Sequence, residues 1–192
     1  MSADEPHRAI AGFSSGGAGR QPQTPATDRR FVVDVNVGKL AKWLRILGYD
    51  ALFINPIDDG ELVEIALREG RVILTKDTHI ARRRVATSGQ VLVVLVEGDR
   101  VLDQLRFLAA RLGLAGPFRM FSRCIECNVP LHAIDRAAVQ GRVPPYVFRT
   151  QERYMACPRC GKIYWPGTHW QRMRETAEET LGRGRSSGED EP

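Results

Sequence analysis

Two groups of residues in this chain carry metal-binding chemistry. Cys124-x2-Cys127 and Cys157-x2-Cys160 are short knuckles separated by 29 residues. Each turn can present both sulfurs to one ion, and two turns complete a tetrahedral thiolate site whose four positions are all filled by protein, the arrangement of a structural Zn²⁺. Disulfide pairing is the alternative, disfavoured in a reducing compartment. A redox pair fits less well, because there are two knuckles and no strand-to-helix context. The second group is acidic: Asp34, Asp58, Asp59, Asp77, Glu97 and Asp99. Carboxylates gathered in one place repel one another unless cations sit among them, and hard ions such as Mg²⁺ or Mn²⁺ take oxygen ligands of this kind.

The elements that must position the acids are legible as apolar runs. FVVDV, ALFI, RVILT and VLVVLV read as strands. Between them Leu40, Trp43, Leu44 and Leu47 fall on one helical face ending at Gly48; Leu62, Ile65 and Ala66 mark a second helix ending at Gly70; Val101, Leu105, Leu108 and Leu112 mark another, closed by Gly113. Alternating strands and helices with nearly continuous apolar strands predict a small α/β domain over 31–116, a parallel sheet covered on both faces. In such a sheet ligands bind beyond the carboxyl ends of the strands, near the point where strand order reverses. All six acids map to that rim. Asp34 is the strongest case, since an ionised carboxylate closing an apolar strand is costly unless something pairs with it. Asp58 with Glu61 has capping-box spacing, Asp59 stands in the first turn of the same helix, and Asp77 can cap the segment that follows it. Asp99 is better placed than Glu97, at a helix start.

Charge divides the chain by role. Residues 31–116 hold twelve Lys and Arg against eleven acids, whereas 117–174 hold ten against three. The basic segment contains both knuckles, with Tyr146, Tyr154, Tyr164, Trp165 and Trp170 interleaved among its arginines. Arginine with aromatics suits phosphate contact and stacking on unpaired bases, against the plainer reading of a solvated surface over a small aromatic core. Arg159, Lys162, Trp165, His169 and Trp170 are the candidates here. On the α/β side, Lys39, Lys42, Arg45 and Lys76 are candidates to anchor flanking phosphates, although helix cations are usually only solvated. The zinc module, 117–174, is too small and polar to fold without its metal, and the stretch between its knuckles must form a hairpin or loop of its own. Residues 1–30 read as a disordered arm and 175–192 as a frayed acidic tail. No stretch approaches the roughly 18 apolar residues that cross a bilayer, and no apolar signal core opens the chain, so a soluble cytoplasmic protein is expected.

FVVDVNVGKLAKWLRILGYD, DDGELVEIALREGRVILTKD, CIEC and CPRCGKIYWPGTHWQRM together resemble the PIN-like ribonuclease domain named for the C-terminal part of the Mut-seven exonuclease. The resemblance covers about 31–174 in order, spacing and both modules. It implies a small PIN-type fold followed by a zinc ribbon, and metal-dependent cleavage of RNA by acidic residues. Carried over by position, Asp34 is the first-strand acid, Asp59 the helix-start acid and Asp77 the acid of the T-x-D turn; these three hold the catalytic Mg²⁺ or Mn²⁺. Asn36 and Thr75 are supporting polar groups, and Asp99 occupies the place of a fourth acid. Cys124, Cys127, Cys157 and Cys160 match the zinc ligands. Three readings follow: a ribonuclease whose ribbon aids RNA binding, a non-catalytic RNA-binding adaptor on a ribosome or RNA-processing complex, and a toxin-type PIN nuclease, against which the ribbon argues.

Overall fold

The computed structural model describes residues 28–114, 118–120 and 122–182; most of the expected N-terminal arm and the end of the acidic tail lie outside them. Four strands, β1 (Arg30–Val33), β2 (Asp50–Phe53), β3 (Val72–Thr75) and β4 (Val93–Leu95), form a wholly parallel sheet in the order β2-β1-β3-β4. Parallel strands buried on both faces must be apolar at every position, and here alternate side chains serve opposite layers. Phe31, Val33 and Leu74 pack with Leu40 and Leu44 of α1 (Gly38–Ile46) and with Leu105 and Leu108 of α5 (Val101–Leu112). Val32 and Ile73 face the other way, onto Leu62, Ile65 and Ala66 of α2 (Asp59–Glu69) and Ile80 of α3 (Thr78–Arg82). A short α4 (Arg84–Thr87) follows α3. Helices α2 and α5 end in Gly70 and Gly113, both left-handed, a conformation that spares a Cβ-free residue the usual steric cost.

The remainder forms a ribbon around the knuckles. An antiparallel sheet of β5 (His132–Ile134), β6 (Tyr154–Ala156) and β7 (Ile163–Tyr164) runs in the order β5-β6-β7. The stretch between the knuckles forms the hairpin β5-β6, with two short helices, α6 (Arg136–Val139) and α7 (Pro145–Thr150), inserted between its strands. Two of the ribbon's aromatics are core: Tyr154 packs on Val139 and Val143, and Tyr164 on Cys124 and Cys157. The last helix, α8 (Thr168–Leu181), corrects the expected tail. Residues 175–181 are helical, and Ala177 and Leu181 return to the α/β body beside α5, so an acidic composition concealed a packed face.

The knuckle is bolted to the edge strand β2. Arg45, expected as a solvated phosphate contact, is buried instead. Its Nε donates to the Ala51 carbonyl at 2.8 Å and its Nη1 to the carbonyls of Ile125 and Glu126 at 2.8 and 3.0 Å. Carbonyls at a knuckle turn need donors, and a guanidinium offers several in one plane. Asn128, in the left-handed region at φ 62°, accepts from the Ala51 amide at 3.0 Å and donates to Asp50 at 2.7 Å. Asp50 also receives Arg71 at 2.6 Å, and Arg123 lies 3.8 Å from it while donating to the Asn128 carbonyl. Burial pushes the Asp50 carboxyl up, but the hydrogen bonds from Arg71 and Asn128 outweigh it and hold the group below its ordinary value. A depressed carboxyl stabilises the fold in full above its unfolded pKa of about 4, and the contribution fades as pH falls through the lower folded value. At pH 7, Asp50→Ala leaves the buried Arg71 guanidinium with Glu69, 2.7 Å from its Nε, as its remaining anion and takes the acceptor from Asn128, and is expected to cost about 3 kcal/mol in urea unfolding.

Candidate active site and metal centre

Strand order reverses at β1, whose two sheet neighbours are β2 and β3, and the crevice at the carboxyl ends of β1 and β3 is where Asp34 and the turn Thr75-Lys76-Asp77 stand. The Asp34 amide continues the ladder to the Leu74 carbonyl at 2.9 Å, and its side chain caps the 3-10 turn Val35–Val37 through the Val35 amide at 2.6 Å. The second carboxylate oxygen accepts from Thr75 Oγ1 at 2.5 Å and Asn36 Nδ2 at 2.7 Å. Thr75 is fully buried, and its hydroxyl in turn accepts from the Asp77 amide at 2.8 Å. Asn36 Oδ1 accepts from the Lys76 amide at 3.1 Å, so one small network ties the end of β1 to the end of β3. Asp34 is 6% exposed and every donor to it is neutral.

The other acids occupy the same rim without converging. Asp58 caps α2 through the Gly60 and Glu61 amides at 2.7 and 2.9 Å, as its spacing predicts. Asp77 caps α3 through the His79 amide at 2.7 Å. Asp59 pairs with Arg83 at 3.3 Å, and Asp99, whose side chain is fully exposed, meets Lys76 at 3.5 Å. Among the described residues, Asp34 and Asp77 have no ion pair, and the four cysteines are the one set of three or more Cys, His, Asp or Glu close enough to ligate a common ion. The acid donor set is all-oxygen and suits Mg²⁺ or Mn²⁺, which keep several waters and need one or two carboxylates rather than a closed cage. On donor type and missing counter-charge, Asp34 and Asp77 fit such an ion; Asp59 is already paired.

The thiolates meet a stricter test. All four Sγ atoms lie within 4.8 Å of one another, and Cys124 and Cys160 are 3.8 Å apart, about the edge that Zn–S bonds of about 2.3 Å give a tetrahedron. Within each knuckle the fourth residue's amide points at the first sulfur, Cys127 to Cys124 at 3.3 Å and Cys160 to Cys157 at 3.4 Å. The Tyr164 hydroxyl lies 3.1 Å from Cys124. Burial pushes the Cys124 thiol up, but hydrogen bonds from Tyr164 and the knuckle amides prevail and bring it down to about 7. The site is therefore suited to structural zinc, with no open position for substrate.

Two clefts lie side by side at Lys39 and Lys42 of α1. One, about 590 Å³, is lined by Asn36, Gly38, Lys39, Lys42, Phe53 and Asp99 beside the Asp34 network. The other, about 750 Å³, lies between α1, the ribbon and α8, and shares Lys39, Lys42 and Val101 with the first. Lys162, Trp165, His169 and Trp170 all line the second cleft, as does Trp43, which the helical pattern assigned simply to the core face of α1. Arg159 is exposed on the ribbon, outside both clefts. Arg136 and Arg142 bond to the carbonyls of Phe148 and Gly161, which leaves the basic excess partly engaged in folding.

A family model described as "Mut7-C RNAse domain" matches residues 29–177, from the start of the sheet through most of α8. The chain belongs to the Mut7-C RNAse domain family. Mut7-C membership supports a nuclease. It also accounts for the two modules together, since the match runs through sheet and ribbon alike. The protein named "Exonuclease mut-7 homolog" from Homo sapiens is 36% identical over 116 residues, covering 57% of this chain. This Mut7-C chain spans only 13% of that relative's length. No solved structure matches it. No helix among the described residues is long and apolar enough to cross a membrane.

Proposed function

We propose that the chain is a metal-dependent ribonuclease that hydrolyses RNA phosphodiester bonds at the crevice between the carboxyl ends of β1 and β3. The observation that carries this reading is Asp34: a buried carboxylate at the strand-order reversal, held by neutral donors and without a cation of its own. Buried charge of this kind calls for a counter-ion, and the family match supports a nuclease. When bound, a hard divalent ion supplies a more acidic water and neutralises charge on the phosphate. Asp34 and Asp77 are the residues that would hold it, with Asp59 and Asp99 as further acids on the rim. Thr75 and Asn36 position Asp34, Thr75 by fixing one carboxylate oxygen and Asn36 by locking the β1 end to the Lys76 amide.

Because Thr75 acts through Asp34, its loss should appear in metal affinity as well as rate. Thr75→Val keeps the β-branched shape and removes the hydroxyl; it is expected to raise the Mn²⁺ concentration needed for half-maximal cleavage about 10- to 100-fold. A merely packing role would leave that concentration unchanged.

The direct test is a panel of end-labelled single-stranded RNAs and DNAs of equal sequence, incubated with the zinc-loaded chain with and without added Mn²⁺. Cleavage of the RNAs with Mn²⁺ is expected, and product length reads endonucleolytic against exonucleolytic mode. A second reading, an RNA-binding adaptor, is favoured by the spacing of the acids, no three of which gather within ligating range among the described residues. It predicts salt-sensitive RNA binding with no metal-dependent product.

A further inference from the structure

All three tryptophans of the chain line one cleft. Trp43 comes from α1 of the nuclease domain, Trp165 from the ribbon just after β7, and Trp170 from the first turn of α8. Each is half-buried: Trp43 packs in part on the α/β core, Trp165 on the ribbon's cluster of Val139 and Tyr154, and the Arg174 guanidinium lies 5.6 Å from the centre of the Trp170 ring. Indole rings sharing a partly open cleft form a surface for flat π-systems, because every base has a face that stacks without regard to its hydrogen-bonding edge. Three lysines, Lys39, Lys42 and Lys162, share the lining, and Glu126 is the one acid among these residues. Glu126 stands 3.6 Å from Lys42 and 3.8 Å from Lys162, in pairs whose side chains are about half exposed. Pairs of that kind contribute little and exchange readily for a phosphate. The balance of charge therefore favours an anionic occupant, while the tryptophans favour an aromatic one. A nucleotide is both.

We propose that the cleft between α1, the ribbon and α8 is a base-stacking subsite for one unpaired nucleotide of single-stranded RNA, with Lys39 and Lys42 holding the phosphates that connect it to the acidic rim. This rests on the ribonuclease reading and adds where the strand lies. Its path is given by continuity: the stacking cleft and the cleft beside Asp34 share Lys39, Lys42 and Val101. A duplex cannot present a base face to such a slot without unpairing it, so the subsite selects single strands. Neither module forms the slot alone, because Trp43 and Lys39 come from one and Lys162 and Trp165 from the other. The bonds from Arg45 to the first knuckle and from the Ala51 amide of β2 to Asn128 hold the two walls in register.

Since the tryptophans all line this cleft, intrinsic fluorescence reads it directly. The zinc-loaded full chain is titrated, without added Mg²⁺ or Mn²⁺, with AMP, with ribose 5-phosphate and with a short single-stranded RNA beside its duplex. Saturable quenching by the single strand and by AMP is expected, with little response to ribose 5-phosphate or duplex. Trp165→Ala should weaken single-strand binding about 10- to 100-fold, read by anisotropy of a labelled RNA. Lys42→Ala with Lys162→Ala, at exposed positions that do not threaten folding, should weaken it and flatten its salt dependence. Glu126→Gln, which frees both lysines, should tighten it. Asp34→Asn should leave the quenching intact, which separates this subsite from the cleavage reading. Equal quenching by ribose 5-phosphate and AMP would reduce the cleft to an anion site and overturn the proposal. So would metal-dependent cleavage of RNA with no fluorescence response, and in that case the ribonuclease reading would stand.

Discussion

Asp34→Asn is expected to slow RNA cleavage by about 10³-fold, the rate equivalent of roughly 4 kcal/mol of lost charge stabilisation in the transition state. The substitution is nearly isosteric. The amide oxygen can still accept from the Val35 amide or from Thr75, so the 3-10 turn and the ladder bond to Leu74 should persist. What disappears is the negative charge at the strand-order reversal, and with it the reason for a cation to reside there. Thermal unfolding within a few degrees of the parent, together with the loss of rate, would place the effect in chemistry rather than in folding. A variant that cleaves as fast as the parent would remove Asp34 from the reaction.

Withdrawing zinc should have the largest effect on structure. The ribbon's own apolar contacts are two small clusters, one of which consists chiefly of Cys124, Cys157 and Tyr164 around the thiolates themselves. Metal binding in such modules is folding free energy, on the order of 10 kcal/mol, and without it neither knuckle turn has a reason to close. Loss of the first knuckle also releases the carbonyls of Ile125 and Glu126 from Arg45 and the Asn128 side chain from β2. Chelation, or Cys124→Ser, is therefore expected to unfold residues of the ribbon and to shift tryptophan emission to longer wavelength, while the parallel sheet, with cores on both faces, remains folded. Circular dichroism that keeps its helical signal while the emission shifts would report this split. Retention of the native emission after zinc is removed would contradict it.

How far the sequence carried these conclusions depended on whether the information was local. A parallel sheet covered on both sides writes itself as unbroken apolar runs, and the glycines at 48, 70 and 113 punctuate the helices, so the α/β layer was readable without coordinates. Asp34 was readable for a related reason, being ionisable where its neighbours on the strand are apolar. The bolt between the modules was not. Arg45 lies on a helix that looks ordinarily amphipathic, and its partners Ile125 and Glu126 are 80 and 81 positions away. Asn128 gave no local sign either, since its role lies in pairing with Asp50 and the Ala51 amide, 78 and 77 positions earlier. Helix α8 left no such mark, and its second half reads as an acidic tail, because its apolar face is narrow, with Ala177 and Leu181 the residues that return to the core. Asn36 and Thr75 were expected only through the family resemblance; the network they form with Asp34 depends on two strand ends meeting.

The central claim is that the rim of Asp34 holds a divalent ion, and binding tests it more directly than activity. Mn²⁺ titrated into the zinc-loaded chain and followed by electron paramagnetic resonance should bind saturably, be displaced by Mg²⁺, and fail to bind Asp34→Asn. Equal Mn²⁺ binding by parent and variant, or none by either while RNA is still cleaved, would contradict the account.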